Sequence, residues 1–176
     1  MKYFLKLEDV SDFSAIKNGF FVENPGRMPE VLVKGNKFGM YPHFRISGAK
    51  KMVCEDNLLY NFQTAFYICD LAVYWYESGR VRDLTICNNV FDNSQKADFG
   101  PFITVAVSGH NHENAPLIHD GIKIENNKFY GVKSKVLSAC GVKNLKFTGN
   151  TVITDGKESE VPEEMLFVAD KVNLTV

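Results

Sequence analysis

Residues 68–79 read Ile-Cys-Asp-Leu-Ala-Val-Tyr-Trp-Tyr-Glu-Ser-Gly and hold the single tryptophan of the chain, two flanking tyrosines and two carboxylates. Tyr74, Trp75 and Tyr76 offer flat apolar faces; Asp70 and Glu77 offer charge and hydrogen-bond acceptors. A sugar has apolar ring faces and many hydroxyls, so this mixture suits a carbohydrate. Cleaving a glycosidic bond takes two carboxyl groups: one protonates the leaving oxygen, the other serves water or the anomeric carbon. The same residues have a plainer use, in which the aromatics pack a loop on the wall of the fold and Glu77 caps a turn.

A second polar cluster is His110-Asn111-His112-Glu113, with His119-Asp120 nearby. His-x-His on a strand puts both rings on one face, and a third ligand would complete a metal site. In a loop the same residues form a solvated polar surface, or a histidine takes over acid–base work. No cluster of Asp and Glu suggests a Ca²⁺-dependent lyase. Asp98, within 95–101, belongs to turn chemistry, and His43 beside Pro42 is structural. The expected site therefore has Asp70 and Glu77 as its acids. Trp75, Tyr76, Tyr74, His110, His112 and Glu113 contact the sugar, and neither metal nor cofactor is expected.

The elements that would position these groups repeat. Anchored on Asn36, Asn57, Asn89, Asn127 and Asn150, five copies of one pattern coincide. Five positions earlier stand Val31, Met52, Leu84, Ile122 and Leu145. Three earlier stand Val33, Cys54, Ile86, Ile124 and Phe147; two later, Phe38, Leu59, Phe91, Phe129 and Val152. Directly before each anchor stands Gly35, Asp56, Asn88, Asn126 or Gly149, residue types that enter a left-handed turn at low cost. The apolar spacing of two predicts strands. One short strand per copy cannot bury its own apolar face, whereas copies stacked in parallel close both the backbone hydrogen bonds and the core.

The anchors lie 57−36=21, 89−57=32, 127−89=38 and 150−127=23 residues apart. Repeats with variable insertions are the mark of stacked architectures. The expected fold is therefore all-β: a single-stranded right-handed parallel β-helix, a solenoid of about five to six rungs. Asparagines in register should bond to one another from rung to rung. A second strand class is expected at 44–46, 65–68, 103–107, 136–139 and 166–168, so each rung carries at least two strands. Residues 1–27 are expected to form an irregular N-terminal cap or lead-in strand, and 28–176 the helix, one domain overall. Insertions fall at 74–80, 92–101 and 108–119; a further stretch, 155–164, is acidic and expected to be a solvated loop. Insertions on adjacent rungs project from one side and can build one site.

Composition narrows the partners. The chain has 176 residues, 45% of them hydrophobic, with 14 phenylalanines, enough for one domain with a substantial core. Twenty basic against 21 acidic residues give a net charge of −1, which argues against generic binding to nucleic acid or anionic membrane. No apolar run is long enough to span a bilayer. Glu8 and Asp9 follow the first apolar residues so closely that no signal peptide is visible, an expectation of cytoplasmic location on sequence alone. Cys54, Cys69, Cys87 and Cys140 form no Cys-x-x-Cys pair and are expected to be buried, inert thiols. An open end rung would leave an edge for homodimerisation.

The stretch Trp-Tyr-Glu-Ser-Gly at 75–79, followed by Val-Arg-Asp-Leu-Thr-Ile at 81–86 and Asn-Asn-Val-Phe at 88–91, resembles the bacterial α-1,3-galactosidases that cleave blood-group B-type galactose. Pro29-Glu30-Val31 and Ile-x-Ile-Glu-Asn-Asn-x-Phe at 122–129 fit the same pattern, so the resemblance runs over about 29–154. It implies the C-terminal part of a much longer β-helical, inverting hydrolase, secreted or periplasmic, that needs no metal and takes galactose-containing glycans. Three departures bear on activity. The family carries an Asp-Asp pair before Trp-Tyr-Glu-Ser-Gly, and those acids are catalytic; Asp70 matches the first, but Leu71 replaces the second. Ser108-Gly109 stands where a Pro-Glu step is expected, and an Arg-containing stretch near 41–44 is absent. The resemblance thus implies glycan binding with weak or lost hydrolysis; the alternative is a non-enzymatic scaffold or interaction module.

Overall fold

The structure is a computed structural model that describes residues 29–39, 42–48, 50–70, 79–95 and 100–176. The expected lead-in at 1–27 lies outside these residues. The chain runs in passes. The first pass holds β1 (Glu30–Lys34), β2 (Lys37–Phe38) and β3 (Phe44–Ile46); the second, β4 (Lys51–Glu55), β5 (Leu58–Tyr60) and β6 (Phe66–Cys69). The third holds β7 (Arg82–Cys87), β8 (Val90–Asp92) and β9 (Ile103–Ala106), and the fourth β10 (Asp120–Glu125), β11 (Lys128–Tyr130) and β12 (Leu137–Ala139). The last strands are β13 (Asn144–Thr148), β14 (Thr151–Thr154), β15 (Lys157–Glu160), β16 (Leu166–Val168) and β17 (Asn173–Thr175).

Each full pass gives one strand to each of three sheets. The first sheet orders β1-β4-β7-β10-β13-β17, the second β2-β5-β8-β11-β14-β15, and the third β3-β6-β9-β12-β16. Every pairing between passes is parallel. The protein is all-β, built of parallel sheets. The register is the one the asparagine anchors predict: Val31, Met52, Leu84, Ile122 and Leu145 stack in one row, Val33, Cys54, Ile86, Ile124 and Phe147 in another. Phe38, Leu59, Phe91, Phe129 and Val152 form a third row, on the second sheet.

The asparagine is the bend between the first two sheets, so each pass carries three strands, one more than the minimum of two. The residue before it takes a positive φ at Gly35 (67°), Asp56 (56°), Asn88 (55°), Asn126 (55°) and Gly149 (63°). The side chain then closes the bend against its neighbour. Asn89 Oδ1 accepts from Asn57 N and Nδ2, both at 3.0 Å, and Asn127 Oδ1 accepts from Asn89 N at 2.9 Å and Nδ2 at 3.0 Å. The second amide hydrogen reaches a carbonyl, Cys54 O for Asn89 and Ile86 O for Asn127, each at 2.9 Å. The ladder runs on to Asn36 at one end and Asn150 at the other. Satisfied in this way, a buried amide costs little and fixes the register; unsatisfied, it would cost about 1–3 kcal/mol per group.

The interior is a column of rings. Phe44 stacks on Phe66 and Phe91 on Phe129, with centroids 5.1 and 4.9 Å apart, and Phe62 and Phe102 meet them edge-on. These rings explain the phenylalanine-rich composition, each adding aromatic contact to its buried area. A second clamp lies between the second and third sheets, where Asn93 Oδ1 accepts from Phe62 N at 2.9 Å and Asn93 Nδ2 donates to Phe62 O at 3.0 Å. Residues 155–164 correct one expectation: β15 pairs antiparallel with β14, and a short 3-10 turn follows at Glu163–Met165. All four residues of β15 are exposed, so no alternation of apolar residues marks it as a strand.

Candidate functional site

The bend from the third sheet back to the first is where the passes differ. It takes residues 47–50 in the first pass, 70–81 in the second, 107–119 in the third and 140–143 in the fourth. The two long connections leave from neighbouring strands, because Cys69 at the end of β6 pairs with Ala106 at the end of β9. The expected insertions at 74–80 and 108–119 therefore start from one place, whereas that at 92–101 lies between β8 and β9.

Asp70 stands at that place, and it is buried, with 4% of its surface exposed. Its Oδ1 accepts from Ser108 N at 2.7 Å, and the Ser108 hydroxyl donates to the Asp70 carbonyl. The Cys69 thiol lies 3.1 Å from that carbonyl. A backbone N–H aimed at a carboxylate makes a charge-assisted bond, stronger than one between neutral groups. Asp70 thus joins the start of the first insertion to the start of the second.

His119 closes the other ends. Its Nδ1 lies 3.1 Å from Val81 N and its Nε2 2.9 Å from Ala106 O. An amide only donates and a carbonyl only accepts, so the ring is neutral with its proton on Nε2. Burial pushes this imidazole below its ordinary pKa, while the Ala106 carbonyl and the Asp70 charge pull it part of the way back. The backbone of the second insertion rests on Gly141, whose carbonyl accepts from Ile118 N and His119 N at 2.9 Å. Gly141 has φ 69°, and a Cβ there would stand 2.1 Å from Val107 Cγ2 and 3.0 Å from Pro116 O. Glycine is the residue that allows this close approach.

The other expected site residues divide. His112 is half-buried: its ring stacks on Phe167 at 4.1 Å, and its Nε2 lies 3.2 Å from Ser138 Oγ. His110 and Glu113 are exposed on the turn that Asn111 organises by accepting from Glu113 N and Asn114 N. His112 thus lies on the outer face of the third sheet while its neighbours face solvent; the His-x-His stretch is a loop, the polar-loop alternative of the sequence. Among the described residues, no three His, Cys, Asp or Glu side chains form a metal-ligating group. His43 stacks on Tyr67 and meets Thr64 O at 2.9 Å, as a structural histidine would. Leu71, Tyr74, Trp75, Tyr76 and Glu77 lie outside the described residues, as does Asp98. Cys54, Cys69 and Cys140 are buried and Cys87 is half-buried, all as free thiols. Burial pushes Cys54 up to about 12.

Two residues of this corner, Ser108 and His119, escaped the expected site. A signal for His119 exists in the repeat. Eight positions before the anchors Asn89, Asn127 and Asn150 stand Val81, His119 and Val142, and His119 pairs with Val142 in the structure. A histidine in a valine row is a buried histidine that must find partners. Ser108 carries no such mark, because its role lies in a backbone N–H.

Comparison with known proteins finds relatives at about 30% identity. The chain is 33% identical over 154 residues to α-1,3-galactosidase A of Streptomyces avermitilis, a match covering 85% of this chain and 24% of that protein. It is 32% identical over 125 residues to α-1,3-galactosidase A of Bacteroides thetaiotaomicron, covering 69% and 20% respectively. With α-1,3-galactosidase B of Bacteroides fragilis it shares 33% identity over 153 residues, covering 79% and 25%. No protein-family model matches, and no solved structure does. The chain is thus related to the glycoside hydrolases. Within them it is a partial relative of the α-1,3-galactosidases, spanning about a quarter of the length of the curated relatives it matches.

Proposed function

We propose that this chain is a right-handed parallel β-helix corresponding to the C-terminal part of an α-1,3-galactosidase-like hydrolase. On this reading it binds galactose-containing glycans at the corner where β6 and β9 end, with hydrolysis weak or lost. The handedness follows the general rule for crossovers between parallel strands. The observation that carries the reading is the placement of Asp70: the one matched acid of the family pattern sits at the shared root of both insertions. Asp70 and Glu77 supply the carboxyl groups, Tyr74, Trp75 and Tyr76 stack on the sugar, and His110, His112 and Glu113 border it. Leu71 in place of the second acid removes one half of an inverting pair, which explains binding without fast turnover. Neither metal nor cofactor takes part.

Calorimetric titration with galactosyl-α-1,3-galactose, with lactose as the control, tests this. Binding of the α-1,3-linked disaccharide that Asp70→Asn removes is the expected result. Proton NMR of the same mixture reads any hydrolysis, and an inverting enzyme releases the β-anomer first. No binding to either sugar overturns the proposal. A second reading, the non-enzymatic scaffold, is favoured by the burial of Asp70 and by the bond that already occupies its Oδ1. That reading gains if neither sugar binds while the protein stays folded.

A further inference from the structure

We propose that His119 is a positioning residue: one neutral imidazole that clamps the two insertions to each other at their roots. The inference rests on the reading that this corner holds the glycan, but its geometry stands apart from any ligand. Val81 is where residues 71–80 rejoin the sheets, and its N–H donates to Nδ1. Ala106 is the last residue before the second insertion, and its carbonyl accepts from Nε2. His119 is itself the end of that insertion, held by Gly141 O on its amide and by Lys143 N on its carbonyl, both at 2.9 Å. Together with the Asp70–Ser108 bond, two side chains tie all four joints of the two insertions.

Packing alone does not call for an imidazole here. Val81 and Val142, at the equivalent places of neighbouring passes, are buried in the same row without any side-chain hydrogen bond. A valine at 119 would fill the row but take the partner from the buried Val81 amide and from the half-buried Ala106 carbonyl. Nor is His119 a general base, since it has no exposed surface and both ring nitrogens are engaged. Its effect on a ligand passes through the backbone that it holds.

Amide hydrogen exchange on the ¹⁵N-labelled full chain tests the clamp. In His119→Leu, exchange at Val81 should quicken on the order of tenfold, about the effect of one lost hydrogen bond, with Asn89 and Asn127 unchanged. His119→Gln, whose amide both donates and accepts, should restore protection at Val81, and affinity for galactosyl-α-1,3-galactose should fall and recover with it. Should the leucine variant fail to fold, His119→Asn, too short to span both partners, gives the same reading. Unchanged exchange at Val81 overturns the clamp. So does a rise spread equally over the asparagine bend, which would make His119 core packing only. The predicted exchange pattern without any sugar binding would sink the glycan reading and leave the clamp standing; sugar binding with unchanged exchange does the reverse.

Discussion

The bend at the asparagines and the bend at Asp70 lie at the two ends of the first sheet and are built on opposite plans. At the first, each pass repeats one solution: a positive-φ residue, then an amide that bonds upward, downward and to a carbonyl. At the second, no two long connections agree in length or in residues. There the bonds run between different groups, Ser108 to Asp70 and His119 to Val81 and Ala106. Repetition gives register, because any slip would break the whole ladder at once. Variation gives a place where one pair of passes can differ from all others without disturbing the stack. On the proposed function, the first bend sets the fold and the second carries the chemistry.

Breaking the ladder in its middle should have the largest effect. Asn89→Ala takes the acceptor from Asn57 N and from one Asn57 Nδ2 hydrogen, and the Asn89 donor from Cys54 O, and should lower stability by about 3–5 kcal/mol in urea unfolding. Asn36→Ala, at the exposed end, should cost under about 1 kcal/mol by the same measurement. Glycine sharpens the contrast. Gly141→Ala must find room against Val107 and Pro116 and should cost about 2–3 kcal/mol. Gly35→Ala, with φ 67° but open space around it, should cost about 1 kcal/mol, the left-handed penalty alone.

A smaller effect should appear with pH. The folded pKa of His119 lies below its unfolded value of about 6.5. The unfolded chain therefore binds the proton first, and stability is fully present above that value. It should fall as pH drops from about 6.5 through the folded value and then level off. Subtracting the urea curves of His119→Gln from those of the parent across this window isolates the effect, and an unchanged slope would mean that His119 carries no such linkage. Smallest of all, Lys146→Ala removes an exposed pair with Glu125 at 2.8 Å and should change stability by about 0.5 kcal/mol or less.

The first bend was legible residue by residue, because its physics is periodic. Three rows of apolar side chains and the left-handed residue before each asparagine follow from one alignment of the sequence with itself. The third-sheet strands came out within about one residue of their observed bounds for the same reason. The hairpin strand β15 was not legible, since Lys-Glu-Ser-Glu pairs only by its backbone and buries nothing. The corner at Asp70 was half legible. Asp70 stands out beside aromatics and a second acid, but its partner Ser108 is 38 residues away, which no local spacing announces. His119 looks like part of a polar loop because its neighbours are polar; only its place in the valine row shows that it faces inward.

Chemical-shift mapping is the most direct measurement, because it asks which bend meets the ligand. Galactosyl-α-1,3-galactose added to the ¹⁵N-labelled chain should move the amides of Asp70, Ser108 and His110 and leave Asn57, Asn89 and Asn127 in place. Shifts gathered at the asparagines, or none at either bend, would contradict the division of labour between them.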